Sequence, residues 1–255
     1  MTSIVTFLRR YWPAILAHLA LFAAWQIAVS WGNVPKFILP TPMDTARTLG
    51  DAHYNWGKHV VSTTAEVYGG YVLAVVVGVG LALLFSWSGK INSFSMPLLV
   101  TLNMVPKVAM APLFIVWLSY GVVPNIIITF TICFFPVILN TARGLSEVER
   151  DILDLVRVLK ASRWQTFIKI QFPSALPYIF SGMKVSAILA IAGAIVGEFI
   201  GSDRGLGFLI LSVQATIDTA AMFMAVILVA VIGVALYLVV LGLERWIVVS
   251  DARIR

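Results

Sequence analysis

Apolar positions along this chain fall in long runs rather than in strict alternation. Six runs approach the roughly 20 residues that a membrane-spanning helix needs: 13–31, 67–86, 96–118, 123–142, 180–201 and 221–243. Polar residues interrupt some of them. His18 and Gln26 lie in the first, Lys107 in the third, and Lys184 and Glu198 near the two ends of the fifth. The connections between runs are unequal. Residues 87–95 and 119–122 read as tight turns around Gly89, Gly121 and Pro124. Residues 32–66 form a longer, proline-containing segment, in which a short surface helix is expected to start after Pro42. Residues 143–179 form the one long loop with an amphipathic pattern.

That loop predicts two short helices. Ser146 as N-cap with Glu149 three residues later is a capping-box pattern. Ile152, Leu155, Val156 and Leu159 then recur at helical spacing. The pattern breaks at Lys160-Ala161-Ser162, where Ser162 can cap a second helix carrying Trp164, Phe167, Ile168 and Phe172 on one face. Pro173 is expected to stop that helix, because proline has no N–H and disfavours helix before it. Three uses of such a pair are weighed: a basic helix pair lying on lipid headgroups, a docking element with Trp164 and Phe167 as anchors, and a catalytic loop. The loop has no His, no Cys and no paired-carboxylate geometry suggestive of a metal, which disfavours the last.

Composition settles the class. Only 12% of the 255 residues are charged, about half the share of a soluble domain, and mean hydropathy is +0.95. The chain reads as an integral membrane protein. If both termini are cytoplasmic, Lys36, Arg47, Lys58 and Arg204 lie outside and the other fourteen of the 18 Lys and Arg lie inside, as the positive-inside bias requires. Topology thus accounts for the net charge of +6, and no nucleic-acid partner is called for. The N-terminal run lacks a small-residue cleavage site close behind it, so it reads as a retained span. Cys133 is the single cysteine, which rules out an internal disulfide. His18, His53 and His59 show no metal-ligand spacing, no nucleophile–base set is visible, and there is no phosphate loop.

At this point the residues carry a resemblance. "ASRWQTF" followed by "IQFPSALP" is similar to the cytoplasmic EAA loop of ABC-importer permeases. "AIVGEFIGSDRGLGFLI", "LPTPMDTARTL" and "MVPKVAMAPLFIVWLSYG" resemble segments of the type I, binding-protein-dependent permeases for taurine, aliphatic sulfonates and nitrate. The resemblance spans residues 38–211, in the expected order. It implies an all-α integral membrane fold of about six transmembrane helices with a cytoplasmic two-helix coupling loop. It also implies a bacterial cytoplasmic (inner) membrane location, multi-pass, with both termini cytoplasmic. The expected partners are two ABC ATPase subunits, a second permease copy, an external or periplasmic solute-binding protein and the lipid bilayer. ATP and Mg would sit in the ATPase partner, and this chain would be no enzyme and bind no cofactor. The cargo would be a small solute of the sulfonate, nitrate or vitamin and pyrimidine-precursor kind, moved by alternating access.

Carried over residue by residue, the coupling loop comprises Asp154, Leu155, Val156, Leu159, Lys160, Ala161, Ser162, Arg163, Trp164, Phe167 and Pro173. Asp154-Leu155-Val156 stands where the family has Glu-Ala-Ala, and Lys160 stands at the usual turn glycine. A left-handed lysine costs on the order of 1 kcal/mol relative to glycine, which leaves the form of the turn open. The implied division is an N-terminal span with its external segment (1–66), a core of five spans (67–243, including the loop 143–179) and a C-terminal tail (244–255).

Ionisable groups inside spans are functional candidates by default. Glu198 reads as a gate residue, or as a carboxylate hydrated near the interface or paired with a Lys or Arg204. Lys107 reads as a snorkelling lysine or a pathway group. Asn103 and Met104 join it as pathway candidates, beside Pro106 and Pro112, which would break or kink the third run. Gly193, Gly197 and Gly201, with Ala190 and Ala194, form a small-residue face for close packing within one subunit or between two. Gly69, Gly70, Gly78 and Gly80 admit the same two readings. The alternative from another class is an ATP-independent, ion-coupled carrier using Glu198 and Lys107; the inverted repeat that would favour it is not visible.

Overall fold

The computed structural model describes residues 2–32, 34–87 and 89–248, and these contain helices and turns with no strand. In chain order the helices are α1 (Thr2–Trp31), α2 (Pro42–Arg47), α3 (Trp56–Ser86), α4 (Gly89–Asn103), α5 (Lys107–Leu118), α6 (Val122–Ser146), α7 (Arg150–Val158), α8 (Arg163–Thr166), α9 (Phe172–Gly201), α10 (Leu206–Ala215) and α11 (Thr219–Ile247). The chain forms two compact units. Among the described residues, one combines those up to Gly57 with Leu209–Ile227, and the other combines those of Lys58–Phe208 with those from Leu228 to Val248.

The first unit is stitched by polar tips of aromatic side chains. Trp25 Nε1 donates to Pro40 O at 3.0 Å, and its ring stands 5.7 Å from that of Phe223. Trp56 Nε1 donates to Thr48 O at 2.8 Å, and the Tyr54 hydroxyl donates to Asp218. The helix expected after Pro42 begins at that proline. Thr41 caps it by accepting from Asp44 N at 3.0 Å, and proline suits the first helical turn, where its missing N–H costs nothing.

In the second unit α6 packs along α9 at very short range. A Cβ on Gly197 would stand 2.5 Å from Asn125 Oδ1, and one on Gly193 would stand 2.7 Å from Thr129 Cα. The small-residue face of α9 therefore serves packing within this chain, and Gly69, Gly70 and Gly78 of α3 likewise face α6. Ser186 Oγ donates to Cys133 O at 2.7 Å while Cys133 Sγ donates to Ser186 O at 3.3 Å, a reciprocal pair that ties the two helices deep in the core. Lys184 pairs with Glu244 at 2.9 Å, joining α9 to α11.

Four helical stretches are long and apolar enough to cross a membrane: Ala52–Ser86, Val122–Ser146, Arg163–Gly201 and Thr219–Ile247. The third expected run is not one rod. It is Ser93–Asn103 and Lys107–Leu118, bent by 87°, and it makes a fifth span if the pair is counted as one. The break falls before Pro106, whose φ of −71° and extended ψ open α5, whereas Pro112 sits inside α5 without breaking it. The run expected over 13–31 falls on α1, whose described apolar part, Leu16–Trp31, is shorter than a span. Of the expected tail 244–255, residues to Ile247 continue α11, and those from 249 lie outside the described residues.

The long loop also departs from expectation. Ser146 is no N-cap; it is the last residue of α6 and donates to Arg143 O at 2.8 Å. The N-cap of α7 is Glu149, with no side-chain bond. Nor does Pro173 stop the second helix. α8 passes through a π turn (Phe167–Gln171) into α9, and Arg163–Gly201 is one helical stretch. A helical proline collides with the carbonyl four residues back. For Pro173 that carbonyl belongs to Lys169, inside the π turn, where Phe172 N–H reaches five residues back to Phe167 O. The widened turn makes room for the ring.

Candidate functional site

The amphipathic element is built from two helix ends and the turn between them. α7 carries Asp151 in its first turn and Arg157 in its last, the favourable placement for both ends of the helix dipole. Arg157 also pairs with Asp154 at 2.7 Å across an exposed face. The helix closes with Lys160 N–H donating to Arg157 O at 2.9 Å and Ala161 N–H to Val156 O at 3.0 Å. This is the Schellman pattern, and it requires a left-handed residue after the cap. Lys160 supplies it with φ of 55°. The turn thus keeps its left-handed form with lysine in place of glycine.

Ser162 then starts α8 with a full capping box. Gln165 N–H donates to Ser162 Oγ at 3.1 Å, and Ser162 N–H donates to Gln165 Oε1 at 2.9 Å. Both helix ends flanking the turn are therefore saturated locally, which fixes their relative direction. On the surface so displayed, Leu155, Val158 and Leu159 are 59%, 79% and 70% exposed, and Trp164 is 58% exposed. Ile152 and Ile168 extend the patch. Val156 is half-buried, and Val158 takes the place in the exposed patch that spacing alone gave to it.

Trp164 and Phe167 differ in kind. Trp87, just past α3, stands 5.9 Å from each ring. Phe167 goes on to Phe172 at 6.2 Å and packs on the buried cluster of Leu145, Ala175 and Ile179. Phe167 is therefore a half-buried internal wedge rather than a free anchor. Trp164 rests on Phe167 at 6.0 Å and keeps its outer face open.

The pathway candidates of the third run meet at the α4–α5 bend. Lys107 Nζ donates to Asn103 O and, at 2.7 Å, to Asn103 Oδ1, and it stands 4.5 Å from the centroid of the Phe135 ring. The ammonium caps the negative C-terminal end of α4. It is closed over its own chain, and the Asn103 side-chain oxygen serves the bend. Met104, in the break, is 78% exposed.

Glu198 is neither hydrated nor paired with Arg204. It is 1% exposed, and Arg204 pairs with Asp203. The Thr63 hydroxyl donates to Glu198 Oε1 at 2.5 Å, and Gly207 N–H donates to its Oε2. Thr63 Oγ1 in turn accepts from Leu206 N–H at 2.8 Å, and His59 Nδ1 lies 3.0 Å from Gly205 N and 2.9 Å from Gly205 O. The loop backbone wraps the carboxylate so closely that Gly205, at φ of +110°, has no room for a Cβ, which would stand 2.2 Å from the Glu198 carboxyl carbon. Glu66, 0% exposed and inside α3, joins this cluster, so the segment expected over 32–66 gives way to helix from Trp56. The polar set His59, Ser62, Thr63, Glu66 follows helical spacing and was open to notice as one face. Among the described residues, no group of three or more His, Cys, Asp or Glu could hold a metal.

Residues 74–249 match the family model described as "Binding-protein-dependent transport system inner membrane component". The chain is 33% identical over 218 residues to a probable ABC transporter permease protein of Haemophilus influenzae, covering 85% of this chain and 89% of that one. It is 29% identical over 231 residues to the formylaminopyrimidine transport permease protein of Halalkalibacterium halodurans, covering 90% and 92%. Among solved structures, an inward-facing form of the MetNI methionine ABC transporter superposes with a TM-score of 0.56 at 19% identity, over 72% of this chain and 94% of that chain.

Proposed function

Because this chain belongs to the family of binding-protein-dependent transport system inner membrane components, we propose that it forms the pathway for a small solute and takes its energy from an ATPase subunit docked on the α7–α8 surface. The chain is a multi-pass membrane permease component of an ABC importer and no enzyme. Membership implies a separate ATPase and a solute-binding protein as partners. The finer reading is that two copies of the chain pair, with both termini and α7–α8 on the cytoplasmic side. ATP-driven closure of two ATPase subunits would then shift α7–α8 and switch the pathway between its two openings. The cargo belongs to the sulfonate, nitrate or pyrimidine-precursor class, a reading supported by the formylaminopyrimidine relative.

One observation carries the coupling role. The exposed apolar patch of Leu155, Val158, Leu159 and Trp164 sits at one end of an unbroken helical stretch, Arg163–Gly201. A push on α8 has a continuous rod along which to travel, with no flexible linker to absorb it. The residues assigned to contact are Leu155, Leu159, Arg163 and Trp164. Asp154, Val156, Lys160, Ala161, Ser162, Phe167 and Pro173 build the element and its joint to α9. The test is co-purification in mild detergent: the wild type should retain a stoichiometric ATPase, and a Leu155→Ala, Trp164→Ala variant should lose it while staying folded. Undiminished retention in that variant would remove the surface from the role.

A further inference from the structure

We propose that Glu66 and Glu198 form a single-proton binding site, in which Glu66 is the neutral acid that donates to the Glu198 carboxylate. Both carboxyls are buried in the second unit, at 0% and 1% exposure, and they face each other. Their bonding is unequal. Glu198 is an acceptor on both oxygens, from the Thr63 hydroxyl and from Gly207 N–H. It also stands at the N-terminal end of α10, a ten-residue helix whose first amides point at it and at Thr63. That end of a helix favours negative charge. Glu66 is different: Oε1 accepts from Ser62 at 3.3 Å, and Oε2 is buried without a well-formed hydrogen bond, its neighbours being the Asn125 amide and Glu198 itself.

A carboxylate turned toward another carboxylate, with no cation between them, is an acceptor facing an acceptor. Burying such a pair with two charges is among the most expensive arrangements a fold can contain. A proton on Glu66 Oε2 turns the repulsion into a charge-assisted hydrogen bond. The remaining neighbours leave that place to a proton. From α3 come His59, whose Nδ1 is taken by the Gly205 backbone, and the hydroxyls of Ser62 and Thr63. From α6 come Thr129 and Asn125, both uncharged; the Asn125 amide lies beside the Glu66 carboxyl and favours its charge, but one neutral amide does not offset a second buried carboxylate. Asp203 and Arg204 pair with each other at 3.0 Å on the outside of the loop. Among the described residues, no lysine or arginine faces the two carboxyls.

The site holds together three pieces of backbone: α3 through Thr63 and Glu66, the end of α9 through Glu198, and the Gly205–Gly207 turn. It therefore fastens the far end of the Arg163–Gly201 rod. The proton exchanges with water only when this clasp opens, and its loss leaves two facing charges that push α3 from α9.

The experiment is hydrogen exchange of the Gly205, Leu206 and Gly207 amides in the full chain in lipid nanodiscs, from mildly acidic to alkaline pH. Rates are corrected for the intrinsic pH dependence. Glu66→Gln replaces the acid with a neutral donor, so protection should stay within about two-fold of wild type and lose its pH dependence. Glu198→Gln presents an amide N–H to a site that needs an acceptor, so protection should fall at least ten-fold, the scale of a lost charge-assisted hydrogen bond. His59→Asn is the control for the nearby imidazole and should leave the wild-type fall in protection at alkaline pH in place. Infrared spectra of glutamate-labelled protein should show a protonated carboxyl band that Glu66→Gln removes, a readout that survives if Glu198→Gln fails to fold. Equal loss of protection in both Gln variants, no protonated band in the wild type, or protection that follows sodium concentration instead of pH would overturn the proposal.

Discussion

Ser162 and Gln165 cap each other across the first turn of α8, each side chain bonded to the other's backbone N–H at 3.1 and 2.9 Å. Together with the Schellman closure on Lys160, this makes the α7–α8 corner a defined angle rather than a hinge. Ser162→Ala removes one half of the box, at about 1 kcal/mol. Amide exchange across Arg163–Thr166 should quicken about five-fold, while the melting of the spans stays unchanged.

Lys160 carries left-handed strain that a glycine would not. Lys160→Gly should raise stability by up to about 1 kcal/mol, partly offset by the greater freedom of glycine in the unfolded chain. Lys160→Val should lower it, because a branched Cβ tolerates this region worst. Thermal unfolding of the purified chain orders the wild type and the two variants.

Trp164 and Phe167 are adjacent rings with separate tasks, and truncation should part them. Phe167→Ala opens a void against Leu145, Ala175 and Ile179. It should cost roughly 2 kcal/mol of stability, below the ~3–5 of a fully buried phenylalanine. Trp164→Ala should leave stability within ~0.5 kcal/mol and weaken ATPase binding by about 30-fold or more, the scale of an interface hot spot. Unfolding curves and titration of the ATPase subunit separate the two effects.

Gly197 is where α9 meets Asn125 of α6, with 2.5 Å left for an added Cβ. Gly197→Ala should destabilise by about 1–3 kcal/mol through overpacking. Adding Asn125→Ala should return part of that loss, because the two residues occupy one space. A double-mutant cycle measures the coupling.

Much of the span pattern was legible because long apolar runs have few alternative uses, and Ser162 was legible as a cap because its chemistry is local. Errors came where one residue's meaning depended on a distant neighbour. Pro173 reads as a stop in isolation, but a π turn upstream accommodates its ring. Ser146 and Glu149 form a capping box on paper, yet the apolar face of α6 carries that helix as far as Ser146 because Leu145 is buried against Ala175 and Ile179. Phe167 reads as an anchor beside Trp164, but its contacts on Trp87 and the core hold it half-buried. The clustering of Glu66 with Glu198 joins positions far apart in sequence. Only the helical spacing of His59, Ser62, Thr63 and Glu66 hinted at it, and the close packing of α3, α6 and α9 completes it.

The central claim is that this chain moves solute only when a docked ATPase hydrolyses ATP. The direct test is uptake into proteoliposomes of labelled taurine, nitrate and formylaminopyrimidine, each with its solute-binding protein. Uptake of at least one solute should need both the ATPase subunit and ATP, and should vanish with the Leu155→Ala, Trp164→Ala chain while the liposomes still retain it folded. Uptake by the chain alone, driven by a proton or sodium gradient and indifferent to ATP, would contradict the account and make the chain an ion-coupled carrier.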